Sequence, residues 1–244
     1  MLTPVPSSTR PQITLRVGTF DAEAFVLTLA EALHAHGTSA HRLEAMLTLV
    51  ARRLGVEARF YSTPTAVIVS FGAATALPHG SPIDHSYNAG DVILIDTGCL
   101  INGYPSDITR TYMLDEPDAE FARHWAIERE AEQAVFDAAK LGAACGSLDD
   151  AARAVVGKYG MGPDYRLPGI PHRAGHGLGL DGHEDPFIVR GNDIRLAPGM
   201  CFSSEPMIVF PGKYGIRLED IIHMTEQGPA WFTQPSKSPT EPFA

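Results

Sequence analysis

Residues 91–113 read DVILIDTGCLINGYPSDITRTYM, and their pattern decides the fold. Asp91 to Asp96 is a short apolar run of strand type, and Ile108 to Met113 reads as its partner, with Gly98 and Asn102-Gly103 supplying the bends between them. Asp96 ends a strand that is otherwise apolar after its first residue, and Asp107 stands at the mouth of the returning strand. This reading puts the two near opposite ends of a hairpin, with both directed toward one cleft. A buried carboxylate without a partner is costly, so two converging on one place require cations, protons or donors. Taken singly, an aspartate of this kind more ordinarily caps a turn or sits in solvent.

Upstream, Phe25, Leu29 and Leu33 recur every four positions and predict a helix stopped by Gly37. Leu43, Met46, Leu47, Val50 and Leu54 predict a second helix, closed by Gly55. The alternation of Val56, Ala58 and Phe60, and the β-branched run Ala66 to Phe71, predict two strands that deliver the loop Leu77-Pro78-His79-Gly80. Residues 1–18, rich in Pro, Ser and Thr, read as a loosely ordered lead-in to a domain spanning 19–244.

Downstream, Ile127, Ala131, Ala134, Val135 and Ala138 mark a helix from about Pro117 to Leu141, and Ser147 with Asp150 predicts a capping box opening another. Gly160 to Pro171 reads as loop. Met200 to Ser204, Met207 to Phe210 and Ile216 to Met224 read as strands, and the turn-rich tail after Thr225 is expected to wrap the surface. Helices, strands, helices and strands in that order predict an α+β architecture.

The stretch PHRAGHGLGLDGHEDP, residues 171–186, crowds histidines, acids and glycines more densely than a flexible linker needs. His176 offers a neutral imidazole suited to a transition metal, while His172 and His183 are candidate supporting or substrate-binding donors. Any one of these histidines alone is more ordinarily structural. Glu205 follows a β-type run, and Glu219 sits among apolar residues in an expected strand, where acids are disfavoured unless paired. Arg217, two residues before Glu219, shares its face of an extended strand and is a candidate to balance or orient the carboxylates; a plain ion pair is the alternative.

Asp96, Asp107, His176, Glu205 and Glu219 make a mostly oxygen donor set that suits Mn²⁺, Co²⁺ or Zn²⁺ rather than a thiolate-bound structural zinc. The four carboxylates over-neutralise one divalent ion but match two. Two such metals, about 3.5–4 Å apart, share a bridging water whose pKa falls toward neutrality, and the resulting hydroxide is the expected nucleophile.

The net charge of -10, with no basic run, argues against a nucleic-acid partner. Cys99, Cys145 and Cys201 share neither metal-type nor disulfide-framework spacing and fit a reducing compartment. The start lacks an export signal, and the longest uncharged apolar stretch, Thr63 to Pro78, is shorter than the roughly 20 residues that cross a bilayer. A cytoplasmic protein without a membrane partner is expected.

The sequence resembles the pita-bread metallopeptidases of the creatinase/aminopeptidase type, in the branch of Xaa-Pro dipeptidases (prolidases) and Xaa-Pro aminopeptidases. The likeness runs from about Val67 to Phe243 and is carried by IVSFGAATALPHG, GDVILIDTGCLINGYPSDITRTYM, PHRAGHGLGLDGHEDPFIVRGN, LAPGMCFSSEPMIV and YGIRLEDIIHMT. It implies an antiparallel sheet with flanking helices in pseudo-twofold halves. It also implies two divalent metals, manganese first, with Asp107 and Glu219 bridging, Asp96 on one metal, and His176 and Glu205 on the other. By the same resemblance Glu205 relays the proton to the leaving nitrogen. His79 lies near the substrate, and His172 and His183 lie around the scissile carbonyl and the proline pocket, stabilising the oxyanion.

Short proline-containing peptides are the implied partners, and a homodimer is an assembly the branch allows. Arg217-Leu-Glu219-Asp220 is similar to the R-x-E-D of Xaa-Pro enzymes, whereas methionine aminopeptidases usually carry Gln two places before that Glu and so form the second choice. A catalytically impaired peptide-binding relative is the remaining alternative. The additional amino-terminal domain usual in the branch is expected to be absent. Residues 25–71 instead resemble the cytoplasmic segment of threonine/serine exporter family proteins, which makes 19–71 an atypical first part of the domain.

Overall fold

The structure is a computed structural model that describes residues 22, 25–26, 28–30, 40–56, 66–78 and 86–243. It divides into two compact units, Met1–Ser62 and Thr63–Ala244. In the first unit, helix α1 (Ala40–Leu54) presents Leu47 and Ala51, one turn apart, to Val26, with Leu29, Ala30, Val50 and Val56 packed around them. Met46 and Leu54, expected on the buried stripe, are exposed, because the side chains packed here cover only a narrow stripe of the helix. Gly55 closes α1 at a φ of 72°, where a side chain would be strained. Most of the expected first helix, the strand after Val56, the lead-in 1–18 and His79 lie outside the described residues.

The second unit carries the antiparallel sheets. Strands β1 (Ala66–Phe71), β2 (Ile93–Gly98) and β5 (Ile108–Tyr112) form one sheet in the order β1-β2-β5. Between β2 and β5, the short strands β3 (Leu100–Ile101) and β4 (Tyr104–Pro105) make a tight hairpin. Its turn is Asn102-Gly103, with φ of 53° and 88°, as the Asn-Gly pair predicts. Because residues 98–106 fold into this separate excursion, the expectation that Asp96 and Asp107 sit at opposite ends of a hairpin is wrong. Asp96 pairs with Thr109, and Asp107 directly precedes Ile108, which pairs with Thr97, so the two acids share one end.

Helix α2 (Ala119–Ala138) is capped by Asp118, whose carboxylate accepts from Phe121 N at 2.7 Å. Helix α3 (Cys145–Lys158) follows without a side-chain cap: Ser147 Oγ donates back to Ala144 O at 2.6 Å, so the expected capping box does not form. The remaining strands are β6 (Gly175–Gly177), β7 (Glu184–Ile188), β8 (Cys201–Ser204), β9 (Met207–Phe210), β10 (Tyr214–Arg217), β11 (Asp220–Thr225) and β12 (Gly228–Trp231). Five of them form a sheet in the order β12-β11-β8-β6-β7, while β9 and β10 pair with each other.

The main core lies between this sheet and helices α2 and α3. Phe202 and Ile222, directly opposed on β8 and β11 and both 0% exposed, face Ala131, Val135, Leu148 and Ala152. Alternation then turns Ser203 to the other face, away from the helices. The segment Ile216–Met224, expected as one strand, is broken at Leu218–Glu219, where the chain passes from the β9–β10 hairpin to the large sheet. The tail returns to the body of the unit: Met113 N donates to Pro239 O at 3.0 Å, and Arg110 Nε donates to Pro242 O at 2.9 Å.

Candidate metal centre

The break after Arg217 leaves Glu219 as a lone bridge residue against Thr109 of β5. Glu219 N donates to Thr109 O at 3.0 Å, and Thr109 N donates to Glu219 O at 3.3 Å. With Asp96 paired to Thr109 on the far side, a row Asp96, Thr109, Glu219 crosses from the three-stranded sheet toward the five-stranded one. Asp220 pairs with Ser204 of β8, and the next residue, Glu205, is fixed by its N–H donating to Ala174 O at 2.8 Å. That bond brings β6, and with it His176, to the same place. Gly175 makes the approach possible, since a Cβ there would lie 2.0 Å from Ser203 O.

The five expected ligands therefore converge. His176 Nε2 lies 3.2 Å from Glu205 Oε1, 3.7 Å from Asp107 Oδ2 and 4.0 Å from Glu219 Oε1. Donor atoms of His176, Glu205 and Glu219 lie within 4.8 Å of one another, as do those of Asp96, Asp107 and Glu219. Glu219 is common to both sets. A third set joins Asp107, His176 and His183, whose ring centroid is 4.0 Å from that of His176.

The electrostatics fit cations. Burial, then the neighbouring Asp96 and Glu205, push the Asp107 carboxyl up to about 7. Burial first, with Asp107 and Glu205 adding repulsion, holds Glu219 well above the usual carboxylate range. Burial depresses His176 to about 4, so its ring is neutral. Its Nδ1 donates to Gly177 O at 3.0 Å, which directs the Nε2 lone pair into the cluster. Among the described residues Glu219 Oε1 is buried without a hydrogen-bond partner, while Oε2 accepts from Thr109 Oγ1 at 2.6 Å. A neutral imidazole, crowded acids and an orphaned carboxylate oxygen make a donor set that divalent cations complete.

Arg217 is 4% exposed and lies along the edge of the cluster. Its guanidinium bonds Asp96 Oδ2, donates from Nε to Thr109 Oγ1 at 3.1 Å, and donates from Nη1 to Pro78 O at 3.0 Å. Thr109, which sequence reasoning passed over, is thus the link between Arg217 and Glu219; its signal was the alternation in ITRTY, which sends both threonines to one face. His172 is held by a backbone hydrogen bond. Its Nδ1 lies 2.6 Å from Arg173 O and donates to it, so the neutral ring presents Nε2 as an acceptor, and Nε2 is buried without a partner among the described residues.

An antiparallel α+β fold of pita-bread type around a carboxylate-rich centre for divalent cations defines a metallopeptidase-like catalytic unit. Residues 14–226 match the metallopeptidase family M24, and the chain belongs to that family. The match includes residues 25–71.

Among curated relatives, the chain is 42% identical over 174 residues to the probable dipeptidase PepE of Mycobacterium tuberculosis, covering 71% of this chain and 45% of that protein. It is 37% identical over 193 residues to the Xaa-Pro dipeptidase of Lactobacillus delbrueckii subsp. lactis, covering 79% and 51%. Among solved structures, the X-Pro aminopeptidase of Thermotoga maritima aligns with a TM-score of 0.67 at 34% identity, covering 89% of this chain and 59% of that one. The prolidase of Pyrococcus furiosus aligns at 0.66 and 32% identity, covering 87% and 62%. The chain spans about half the length of the curated relatives it matches.

Proposed function

We propose that this chain is a metal-dependent exopeptidase that cleaves Xaa-Pro bonds in dipeptides or at peptide N-termini, working with two divalent cations, manganese first among them. The observation that carries the proposal is the convergence of Asp96, Asp107, His176, Glu205 and Glu219, with Glu219 common to two donor sets. Asp96, Asp107 and Glu219 would hold one cation; His176, Glu205 and the shared carboxylates of Asp107 and Glu219 would hold the other. Cations bound there supply Lewis acidity toward water and the scissile carbonyl.

The chain's own groups supply the rest. Glu205 takes a proton from the attacking water and passes it to the leaving nitrogen. Ser203 Oγ, donating to Glu205 Oε1 at 3.3 Å and accepting from His176 N at 3.0 Å, fixes that carboxylate beside the histidine. Arg217 holds Asp96 in position and, with it, the first cation. His183 and His79 face the substrate in this reading, and His172 accepts a hydrogen from it.

The arginine at 217 favours this reading over a methionine aminopeptidase, in which glutamine usually stands there. Residues 19–244 form the catalytic domain, with 19–71 as its atypical first part. Short proline-containing peptides are the substrates, the cytoplasm is the compartment, and a homodimer is the assembly to test. Among the described residues no helix is long and apolar enough to cross a membrane.

Elemental analysis together with release of proline from Ala-Pro and Gly-Pro tests the proposal. Two equivalents of metal and turnover lost in Asp107→Asn are expected. No proline release by protein shown to hold both metals ends it.

A further inference from the structure

β5 meets the chain leading into β11 through one isolated bridge pair, Thr109 and Glu219. Of its two amide bonds, the one from Thr109 N to Glu219 O is long, at 3.3 Å. By itself such a bridge is a weak mount for a carboxylate that belongs to two donor sets.

Arg110, the next residue along β5, supplies what a longer ladder would. Alternation sends its side chain to the face opposite Thr109, behind the cluster, where it is 3% exposed. Nη1 donates to Glu219 O at 2.8 Å and to Thr109 O at 2.9 Å, so one nitrogen links both carbonyls of the bridge pair. Nη2 donates to Asp220 Oδ1 at 2.8 Å and to Gln234 O at 3.3 Å, and Nε donates to Pro242 O at 2.9 Å. Every N–H of the guanidinium is thereby engaged.

Two of these acceptors, Gln234 and Pro242, lie in the tail, which has other ties to the same place. Thr233 Oγ1 bonds the Asp220 oxygen that Arg110 holds, and Phe243 lies edge-on to Tyr112 with 6.3 Å between ring centroids. One planar fork thus joins three pieces of chain: β5, the crossing at 219–220 and the tail. Its contact with Glu219 is to the backbone, not to the ligating carboxylate.

We propose that Arg110 is a positioning residue of the metal centre, fastening the Glu219 backbone to the tail so that cation binding and tail docking strengthen each other. The inference rests on the two-cation reading of the cluster and deepens it. A buried ion pair such as Arg110–Asp220 adds little net stability, and what this one supplies is orientation. A cation that pins the Glu219 carboxylate keeps Glu219 O under Nη1, and the fork then keeps its hold on Gln234 and Pro242. Linkage requires the docked tail to raise cation affinity by the same factor.

The test uses the full chain as wild type, Arg110→Lys and Arg153→Lys. Lysine keeps the charge beside Asp220 and loses the fork that spans Glu219, Gln234 and Pro242. Arg153 serves for comparison: it is also buried and donates to Asp149 Oδ2 and to the carbonyls of Asp164, Ile170 and His172, none of them one of the five expected ligands. Calorimetric titration with Mn²⁺, well below each melting temperature, should show affinity lowered roughly 10- to 100-fold in Arg110→Lys and within about threefold of wild type in Arg153→Lys. Saturating Mn²⁺ should slow hydrogen exchange at the tail amides of wild type by at least about threefold, and by less than about twofold in Arg110→Lys.

Equal losses of affinity in the two lysine variants, no loss in Arg110→Lys, or wild-type tail exchange indifferent to Mn²⁺ would overturn the proposal. Should Arg110→Lys not fold, the wild-type exchange decides alone. Release of proline from Ala-Pro is read in parallel. If wild type binds two Mn²⁺ with the expected pattern of affinity and exchange but releases no proline, the peptidase reading fails and the positioning role stands. If wild type releases proline and the pattern is absent, the positioning role fails and the peptidase reading stands. Wild type that binds no Mn²⁺ defeats both.

Discussion

Replacing Thr109 by valine keeps the shape of the side chain and deletes one oxygen, the oxygen that donates to Glu219 Oε2 at 2.6 Å and accepts from Arg217 Nε at 3.1 Å. In the variant, Glu219 Oε2 loses its hydroxyl donor and keeps its ion pair with Arg217 Nε at 4.0 Å. Two bonds to ionisable partners vanish inside a pocket where Thr109 is 0% exposed, so water does not replace them freely. A loss of about 1–2 kcal/mol of fold stability follows, equivalent to a fall of roughly 2–8 °C in Tm for a chain of this size. The larger effect falls on metal affinity, because partners that orient a ligating carboxylate are worth about 10- to 100-fold.

Thr111→Val is the matched control. Thr111 Oγ1 donates to Arg217 O at 2.8 Å and accepts from Arg217 N at 3.0 Å, but its hydroxyl touches no acid of the cluster. It should cost similar stability and leave affinity within about threefold. Calorimetric titration with Mn²⁺ and thermal melts of the metal-free proteins measure both quantities. Equal losses of affinity in the two variants, or none in Thr109→Val, would refute the idea that Thr109 aims Glu219 at a cation.

Three further outcomes are expected. In the metal-free protein, Asp107 is raised from its ordinary 3.8 to about 7 and Glu219 is also raised, while His176 falls from 6.5 to about 4; the acids make stability fall as pH rises and the histidine opposes them up to about 6.5, so between about 6.5 and 7.5 Tm should decline, and saturating Mn²⁺ should abolish the decline. Gly175→Ala would set a Cβ 2.0 Å from Ser203 O, pushing β6 off β8 and carrying His176 out of register; manganese affinity should drop more than tenfold, as read by equilibrium dialysis. Phe202→Ala, in the core beneath the helices, should cost about 3–5 kcal/mol in denaturant unfolding while leaving the ligand set chemically complete.

Which residues gather at the acidic cluster was easier to read from sequence than how the fold gathers them. Asp96, Asp107, Glu205 and Glu219 declared themselves because acids among strand-forming apolar residues need partners, and His176 because its neighbours are glycines that only a close backbone approach requires. What local pattern could not supply was which strand meets which. The register that sets Asp96 opposite Thr109 depends on the small hairpin at 100–105 taking up chain between two strands. The interruption at Leu218–Glu219 is invisible to periodicity, because Ile216 through Met224 keeps a strand-like composition while the backbone changes sheets. β6 carries no strand signal because a glycine-rich stretch reads as loop until its neighbours are known, and β7 carries none because Pro186 interrupts it.

The paired amide bonds between Thr109 and Glu219 join β5 to the backbone that leads into β11 in the middle of the ligand cluster. Cations bound on either side of that seam would act as rivets, so that prising the two sheets apart means surrendering the ions. Chelation should therefore loosen this seam before the helix-backed core, and amide hydrogens at 109 and 219 should exchange first when the metal is withdrawn.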